Sequence, residues 1–365
     1  DIDQLALEVK LGQSLILGFE GTHLTQSLKE LLEICHIGGV ILFSRNYSSP
    51  LQLKKLCFDL QHIASQNAPY LPLIISIDQE GGRVCRLREP FTHFPSANVL
   101  GKMSDEKLVV EVARATAKEL EAVGINTNLA PVLDLATNHL NRVIGDRSFG
   151  EKMSCVSRLG AAYIKGLHSG GVLSVAKHFP GHGDTFQDSH LGLPTSWQLE
   201  SLLRTREMEP FRMASLAGVD AVMTAHVIYP EVERENPATL SEYIIGDLLR
   251  KGCSFYGPVM SDDLLMSAIS SLYSLPEGAL RAYKAGVDML LISKEEDKGI
   301  SVYQALLRAA KRGELTEDRI NGATYNILSM KRKIKWPEKA TVDASSLGVI
   351  GCQEHKDLVA KVLGS

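Results

Sequence analysis

The chain has 365 residues, 44% of them hydrophobic and 22% charged, which is enough apolar material to bury a substantial core and excludes a peptide scaffold. Its 39 Lys and Arg against 43 Asp and Glu give a net charge of −4, with both signs interspersed, and this argues against a dedicated nucleic-acid surface. Apolar runs such as 71–77 end well short of the ~18 residues a membrane-spanning helix needs, so no membrane span is expected.

In chain order, short apolar, β-branched runs alternate with amphipathic stretches of helical length. The runs are 13–19, 39–43, 73–78, 126–134, 172–178, 221–226, 257–262 and 287–293. Helical patterns with apolar residues three and four apart lie among them at 105–123, 152–168, 197–216, 241–251 and 264–285. Strands separated by helices pair in parallel. About eight such units, with no Pro/Gly/Ser linker to divide them, predict a single-domain α/β chain with a (β/α)8 TIM-like barrel. The barrel is expected over 1–335, with 336–365 as a C-terminal extension packed on it. An open doubly wound sheet is the other architecture, but no GxGxxG follows any early strand.

Ionisable residues close five of the runs: Asp78, Asp134, the pair Lys177 and His178, His226, and Asp262. In a barrel these would share one rim, where the strands' carboxyl ends converge on a pocket. The densest stretch, KHFPGHGDTFQDSH at 177–190, follows the fifth run. His178 and His182 are four apart, a metal-pair spacing on a helix, yet Pro180, Gly181 and Gly183 rule a helix out. No further ligand has suitable spacing, so neither metal nor cofactor is expected. The glycines point to a mobile loop ending in Asp188-Ser189-His190, a carboxylate two residues from an imidazole and a candidate acid/base pair.

Asp262 and Asp263 follow the seventh run. Strand side chains alternate, so one of the two faces the mouth as a candidate nucleophile while the other caps the following helix; spacing does not choose between them. Asp78-Gln79-Glu80-Gly81-Gly82-Arg83 with Arg86 reads either as a cradle for the hydroxyls of a sugar or as a salt-bridged turn, and Asp146-Arg147 carries the same two readings. Neither a P-loop nor a GxSxG elbow occurs. Asn46-Tyr47-Ser48 is a formal glycosylation sequon. Six scattered cysteines without a CxxC pair read as free thiols in a reducing compartment. The expected location is therefore the cytoplasm, with export as the alternative because the chain begins at Asp1 rather than Met.

Six segments together carry a resemblance: IDQEGGRVCRL at 77–87, NLAPVLDLA at 128–136, IGDRSFG at 144–150, KHFPGHGDT with DSH over 177–190, MTAHVIYP at 223–230 and SDDLLM at 261–266. The chain is similar to glycoside hydrolase family 3, and within it to the bacterial β-N-acetylglucosaminidases of the NagZ type. The resemblance runs from about residue 10 to residue 330 and implies a barrel hydrolase without a cofactor. It makes Asp262 the nucleophile and His190, partnered by Asp188, the acid/base. It also makes Asp78, Arg86, Arg147, Lys177 and His178 the groups that hold the sugar. Its implied substrate is a terminal β-linked N-acetylglucosamine on peptidoglycan fragments (muropeptides), taken by a monomer. Other activities within this resemblance are a β-glucosidase or a phosphorylase; the alternative of another class is a non-catalytic muropeptide-binding barrel.

Overall fold

The computed structural model describes residues 2–187, 193–336, 342 and 344–364. Eight parallel strands follow one another around a barrel in chain order: β1 (Leu15–Leu17), β2 (Gly39–Leu42), β3 (Ile74–Ile77), β4 (Thr127–Asn128), β5 (Leu173–Phe179), β6 (Ala221–Thr224), β7 (Val259–Ser261) and β8 (Leu290–Ile292). β8 pairs with β1 through Leu290–Leu15, Leu291–Ile16 and Ile292–Leu17, and β7 joins β8 through the bridge of Met260 with Met289, where the Ser261 amide meets the Met289 carbonyl and the Met289 amide the Val259 carbonyl, both at 2.9 Å.

The period-2 pattern explains why these runs are strands. Ile16, Ile41, Ile74, Val175, Met223, Met260 and Leu291 point inward and pack together, while their neighbours Leu15, Val40, Ile75, Ala176, Val222, Val259 and Leu290 point outward into the layer beneath the helices. Each fully buried side chain of this size contributes about 1.5–3 kcal/mol relative to exposure. With both faces covered, strands of three or four residues suffice.

The outer layer includes α1 (Gln26–Ile34), α2 (Pro50–Gln66), α3 (Glu106–Ala122), α4 (Met153–Ser169), α5 (Glu209–Leu216), α6 (Leu275–Ala285) and α7 (Glu296–Lys311). Their starts are chemically marked. Ser49 accepts from the Gln52 amide ahead of Pro50, and Asp105 accepts from the amides of Lys107 and Leu108. Next comes α8 (Glu317–Lys331), which closes the barrel floor by pressing Ile327 and Met330 onto the inward-facing strand residues. The chain ends in α9 (Gln353–Leu363). The Glu119 carboxylate of α3 accepts from the Gly351 amide at 3.0 Å and pairs with His355 Nδ1 at 2.7 Å. It also takes the Thr92 amide at 2.9 Å and the Thr92 hydroxyl at 2.6 Å.

Four segments depart from their sequence patterns. In the fourth run regular pairing stops at Asn128, because Pro131 has no N–H to give; Val132 regains one bridge, to Lys177. The 197–216 stretch becomes helical only at Glu200 and passes through a wide π turn over Leu203–Glu207 before α5. The 241–251 stretch is a π-helix, Ile244–Gly252. The 264–285 stretch splits into a short turn, Ser267–Ser270, and α6, which carries Pro276 in its first turn. No helix among the described residues is long and apolar enough to cross a membrane.

Candidate active site

Strand ends bring the predicted residues together. β3 ends in Asp78 and runs into a small hairpin, Gln79–Gly81 against Val84–Cys85. The hairpin turns through Gly81 and Gly82, both at positive φ (96° and 57°), where an added Cβ would also press on Pro95 and Ser96. Asp78 and Glu80, two apart, both reach Lys177 from β5: Nζ lies 2.7 Å from Asp78 Oδ1 and 2.7 Å from Glu80 Oε1. Arg86 closes on the other Asp78 oxygen at 3.1 Å, and Arg147 grips Glu80 with both arms of its fork at 2.8 and 2.9 Å.

Burial alone would raise the Asp78 carboxyl, but the charges of Lys177 and Arg86 outweigh it and hold the group below the usual carboxylate range. Glu80 is lowered in the same way, against its burial, by Lys177 and Arg147. Burial would lower the Lys177 amine, yet Asp78 and Glu80 raise it, so the cluster is fully ionised at neutral pH.

Next to this cluster stands His178. Its Nδ1 lies 2.6 Å from Asp134 Oδ2, which makes Nδ1 the donor and leaves Nε2 toward Arg147 Nη2 at 3.5 Å. Asp134 Oδ1 takes the backbone amides of His178 and His182 at 3.2 and 2.7 Å. Burial opposes ionisation of Asp134, but the two histidines and these amides lower it. Gly183 is required where the chain turns away, because a Cβ there would overlap the Leu135 carbonyl.

Asp262 and Asp263 divide as strand alternation demands. The Asp262 carboxylate is partly buried, and its Oδ1 accepts the Asp263 amide at 2.7 Å. Desolvation raises it, while His178, His226, the Asp263 amide and Lys177 together lower it, so it stands as an ionised carboxylate. Asp263 turns away: its Oδ1 takes the amides of Leu265 and Ser293, both at 3.1 Å, and its Oδ2 takes the Ser293 hydroxyl at 2.5 Å. Asp263 thus ties β7 to β8 rather than capping a helix. His226 reaches the Asp263 carbonyl with Nε2 at 3.0 Å and Thr239 Oγ1 with Nδ1 at 2.7 Å.

Asp78, Arg86, Arg147, Lys177, His178 and Asp262 therefore occupy one mouth, while Asp188 and His190 lie outside the described residues. Asp146 points away from the mouth and pairs with Arg83 at 2.7 Å on the exposed rim. The Asn46 sequon is buried, its Nδ2 donating to the carbonyls of Phe19 and Gly21. Neither Glu80, within the 78–83 cradle or turn, nor Asp134, at a strand end, is singled out as a site residue by the sequence. The signal for Glu80 was available: residues i and i+2 of a strand share a face, so Asp78 and Glu80 had to point the same way. Asp134 was marked only as a strand end, and nothing local linked it to residues forty-odd positions away.

A parallel barrel that gathers ionised carboxylates, a braced imidazole and guanidinium forks at the carboxyl ends of its strands has the build of a barrel hydrolase for polyhydroxylated substrates. Comparison with known proteins narrows this. The glycosyl hydrolase family 3 N-terminal domain matches residues 6–330, and the chain belongs to that family of glycoside hydrolases. A β-hexosaminidase of Alkalilimnicola ehrlichii is 38% identical over 334 residues, covering 89% of this chain and 93% of its own. The structure of a family 3 β-N-acetylglucosaminidase from Paenibacillus sp. superposes with a TM-score of 0.93 at 42% identity, covering 98% of this chain and 68% of that one. NagZ from Neisseria gonorrhoeae, solved with N-trifluoroacetyl-D-glucosamine, gives a TM-score of 0.79 at 33% identity over 96% of this chain and 97% of its own.

Proposed function

We propose that the chain is a retaining exo-β-N-acetylglucosaminidase that removes terminal β-linked N-acetylglucosamine from peptidoglycan fragments, acting as a monomer in the reducing cytoplasm. The observation that carries this reading is the Asp262 carboxylate, partly exposed and held ionised at the mouth among His178, His226 and Lys177. The names of the family relatives support the sugar. The six cysteines, none of them disulfide-bonded, fit the compartment.

In the first step an Asp262 oxygen attacks the anomeric carbon while the glycosidic carbon–oxygen bond breaks, and His190, kept charged by Asp188, gives its proton to the leaving oxygen. In the second, His190 takes a proton from water, the water oxygen bonds to the anomeric carbon, and Asp262 is released. Asp78, Arg86, Arg147, Lys177 and His178 hold the hydroxyls and the acetamido group.

The test is hydrolysis of an aryl β-N-acetylglucosaminide by the wild type, Asp262→Asn and His190→Ala. Asp262→Asn should be inactive toward all substrates. His190→Ala should lose far more activity on poor leaving groups than on activated aryl ones, because only the former need a proton. Turnover by Asp262→Asn would overturn the nucleophile, and equal losses across leaving groups would overturn the acid/base.

A further inference from the structure

We infer that Asp263 is the positioning residue of the reaction: its side chain clamps the β7–β8 junction so that its own amide aims the Asp262 carboxylate. This rests on the reading of Asp262 as nucleophile and assigns a role to the neighbour that sequence left undecided.

The geometry runs through one residue in both directions. Toward the mouth, the Asp263 amide donates to Asp262 Oδ1 at 2.7 Å, which is the only hydrogen bond the Asp262 carboxylate makes among the described residues. A carboxylate on a strand end has several staggered rotamers about its Cα–Cβ bond open to it, and this contact selects one of them. Away from the mouth, both Asp263 oxygens are occupied, by the Leu265 amide and by the amide and hydroxyl of Ser293. Its carbonyl receives His226 Nε2 at 3.0 Å and the Met266 amide at 3.0 Å. Ser293 is itself held, since the Arg45 guanidinium donates to its carbonyl and also, at 3.0 Å, to the Phe19 carbonyl beyond β1. The residue that carries the aiming N–H is thus tied to the chain just beyond β6 through His226 and just beyond β8 through Ser293, and Ser293 in turn is linked by Arg45 to the chain beyond β1.

The arrangement matters because this is where the barrel closes. Met260 and Met289 form the ladder bridge between β7 and β8, and backbone bonds from Ser261 to the Met289 carbonyl (2.9 Å) and from Leu264 to the Leu291 carbonyl (3.0 Å) hold the chain on either side of residues 262 and 263. Between those two bonds the Asp263 carboxylate supplies the tie to Ser293. Without it the Asp262 oxygen would wander from the line of attack, and a displacement of about 1 Å in such a geometry costs about 100-fold in rate. The binding groups stand on other strands and keep their own partners, so substrate affinity should be spared.

The experiment compares wild type, Asp263→Ala, Asp263→Asn and Ser293→Ala for kcat, KM and the rate of covalent labelling by a fluorinated, slow-turnover N-acetylglucosaminyl substrate, counted per labelled site. Asp263→Ala should lose about 100-fold in kcat and in labelling rate with KM within about threefold. Asp263→Asn, which keeps one acceptor oxygen, should recover to within about tenfold of the wild type, and Ser293→Ala should lie between it and the wild type. A merely structural role would reduce the number of sites labelled and the melting temperature but not the rate per site. If Asp263→Ala does not fold, Ser293→Ala and Asp263→Asn carry the same comparison. Labelling of Asp262 at the wild-type rate per site in these variants overturns the inference. Wild-type label on a residue other than Asp262 overturns the nucleophile reading, and the inference with it.

Discussion

Two lysines of this chain are buried to the same degree and behave oppositely. Lys177 lies between two carboxylates and is raised; Lys331, under the barrel floor, donates to Gln13 Oε1 at 2.5 Å, and its burial pushes the amine down to about 7. An unfolded lysine titrates near 10.4. The unfolded chain therefore binds this proton more readily than the folded one, the penalty is complete below pH 7, and it fades as pH climbs from 7 toward 10. Lys331→Met should accordingly stabilise the protein at pH 6 by a few kcal/mol, with about 1 kcal/mol lost because Gln13 forfeits its partner. Urea unfolding at pH 6 and pH 10 checks this: the gain should shrink at the higher pH, and a gain independent of pH contradicts the assignment. Lys177 offers no such gain, because removing it would leave Asp78 and Glu80 facing each other in a buried site.

At the scale of elements, the hairpin after β3 grips the loop after β4. Arg83 Nε meets Asp146 at 2.7 Å, and its Nη2 donates to the carbonyls of Arg142, Val143 and Ile144 at 2.8–3.2 Å. That loop delivers Arg147 to Glu80. Arg83→Ala should loosen the delivery and raise KM about tenfold while kcat changes little and the melting temperature barely moves, since half the side chain is in solvent. Steady-state kinetics with a melting curve decide it, and an unchanged KM would sever the hairpin from binding. This grip also marks where sequence reading stops. The alternation of Ile16, Ile41 and Met260 with their neighbours announces strands from a few residues of context, and the charged strand ends announce a rim. Arg83 speaks to carbonyls some sixty positions away, and side chains that grip backbone leave no trace in the identity of the residues gripped. The wide helix Ile244–Gly252 was legible as helical but not as π, because the same apolar spacing serves both windings.

For the molecule as a whole, Glu119 couples its C-terminal end to the face that carries the site. Its four acceptor contacts join α3 to Gly351 and His355 on one side and to Thr92 on the other, and Thr92 belongs to the connection that returns from the Arg86 hairpin. Burial would raise this carboxyl, but the hydrogen bonds from His355, Thr92 and Gly351 outweigh it and lower it. Its contribution is therefore present above the ordinary glutamate range and disappears as pH falls through its folded value. Glu119→Gln, which replaces one acceptor oxygen with a donor, should cost on the order of 2 kcal/mol and a few degrees of Tm at pH 7. Calorimetry toward pH 3 should show the two proteins converging; a constant gap would mean the carboxylate's charge is irrelevant to the joint.

The single Met260–Met289 pairing has one more outcome. A cylinder whose wall narrows to one ladder bridge beside its reacting group opens there when the Ser261–Met289 and Met289–Val259 amide bonds part, and each such opening momentarily disarms Asp262. A sugar seated in the mouth favours the shut cylinder by mass action, so deuterium uptake at Ser261 and Met289 should slow when the site is filled, while Ile75 on the opposite wall stays as protected as before.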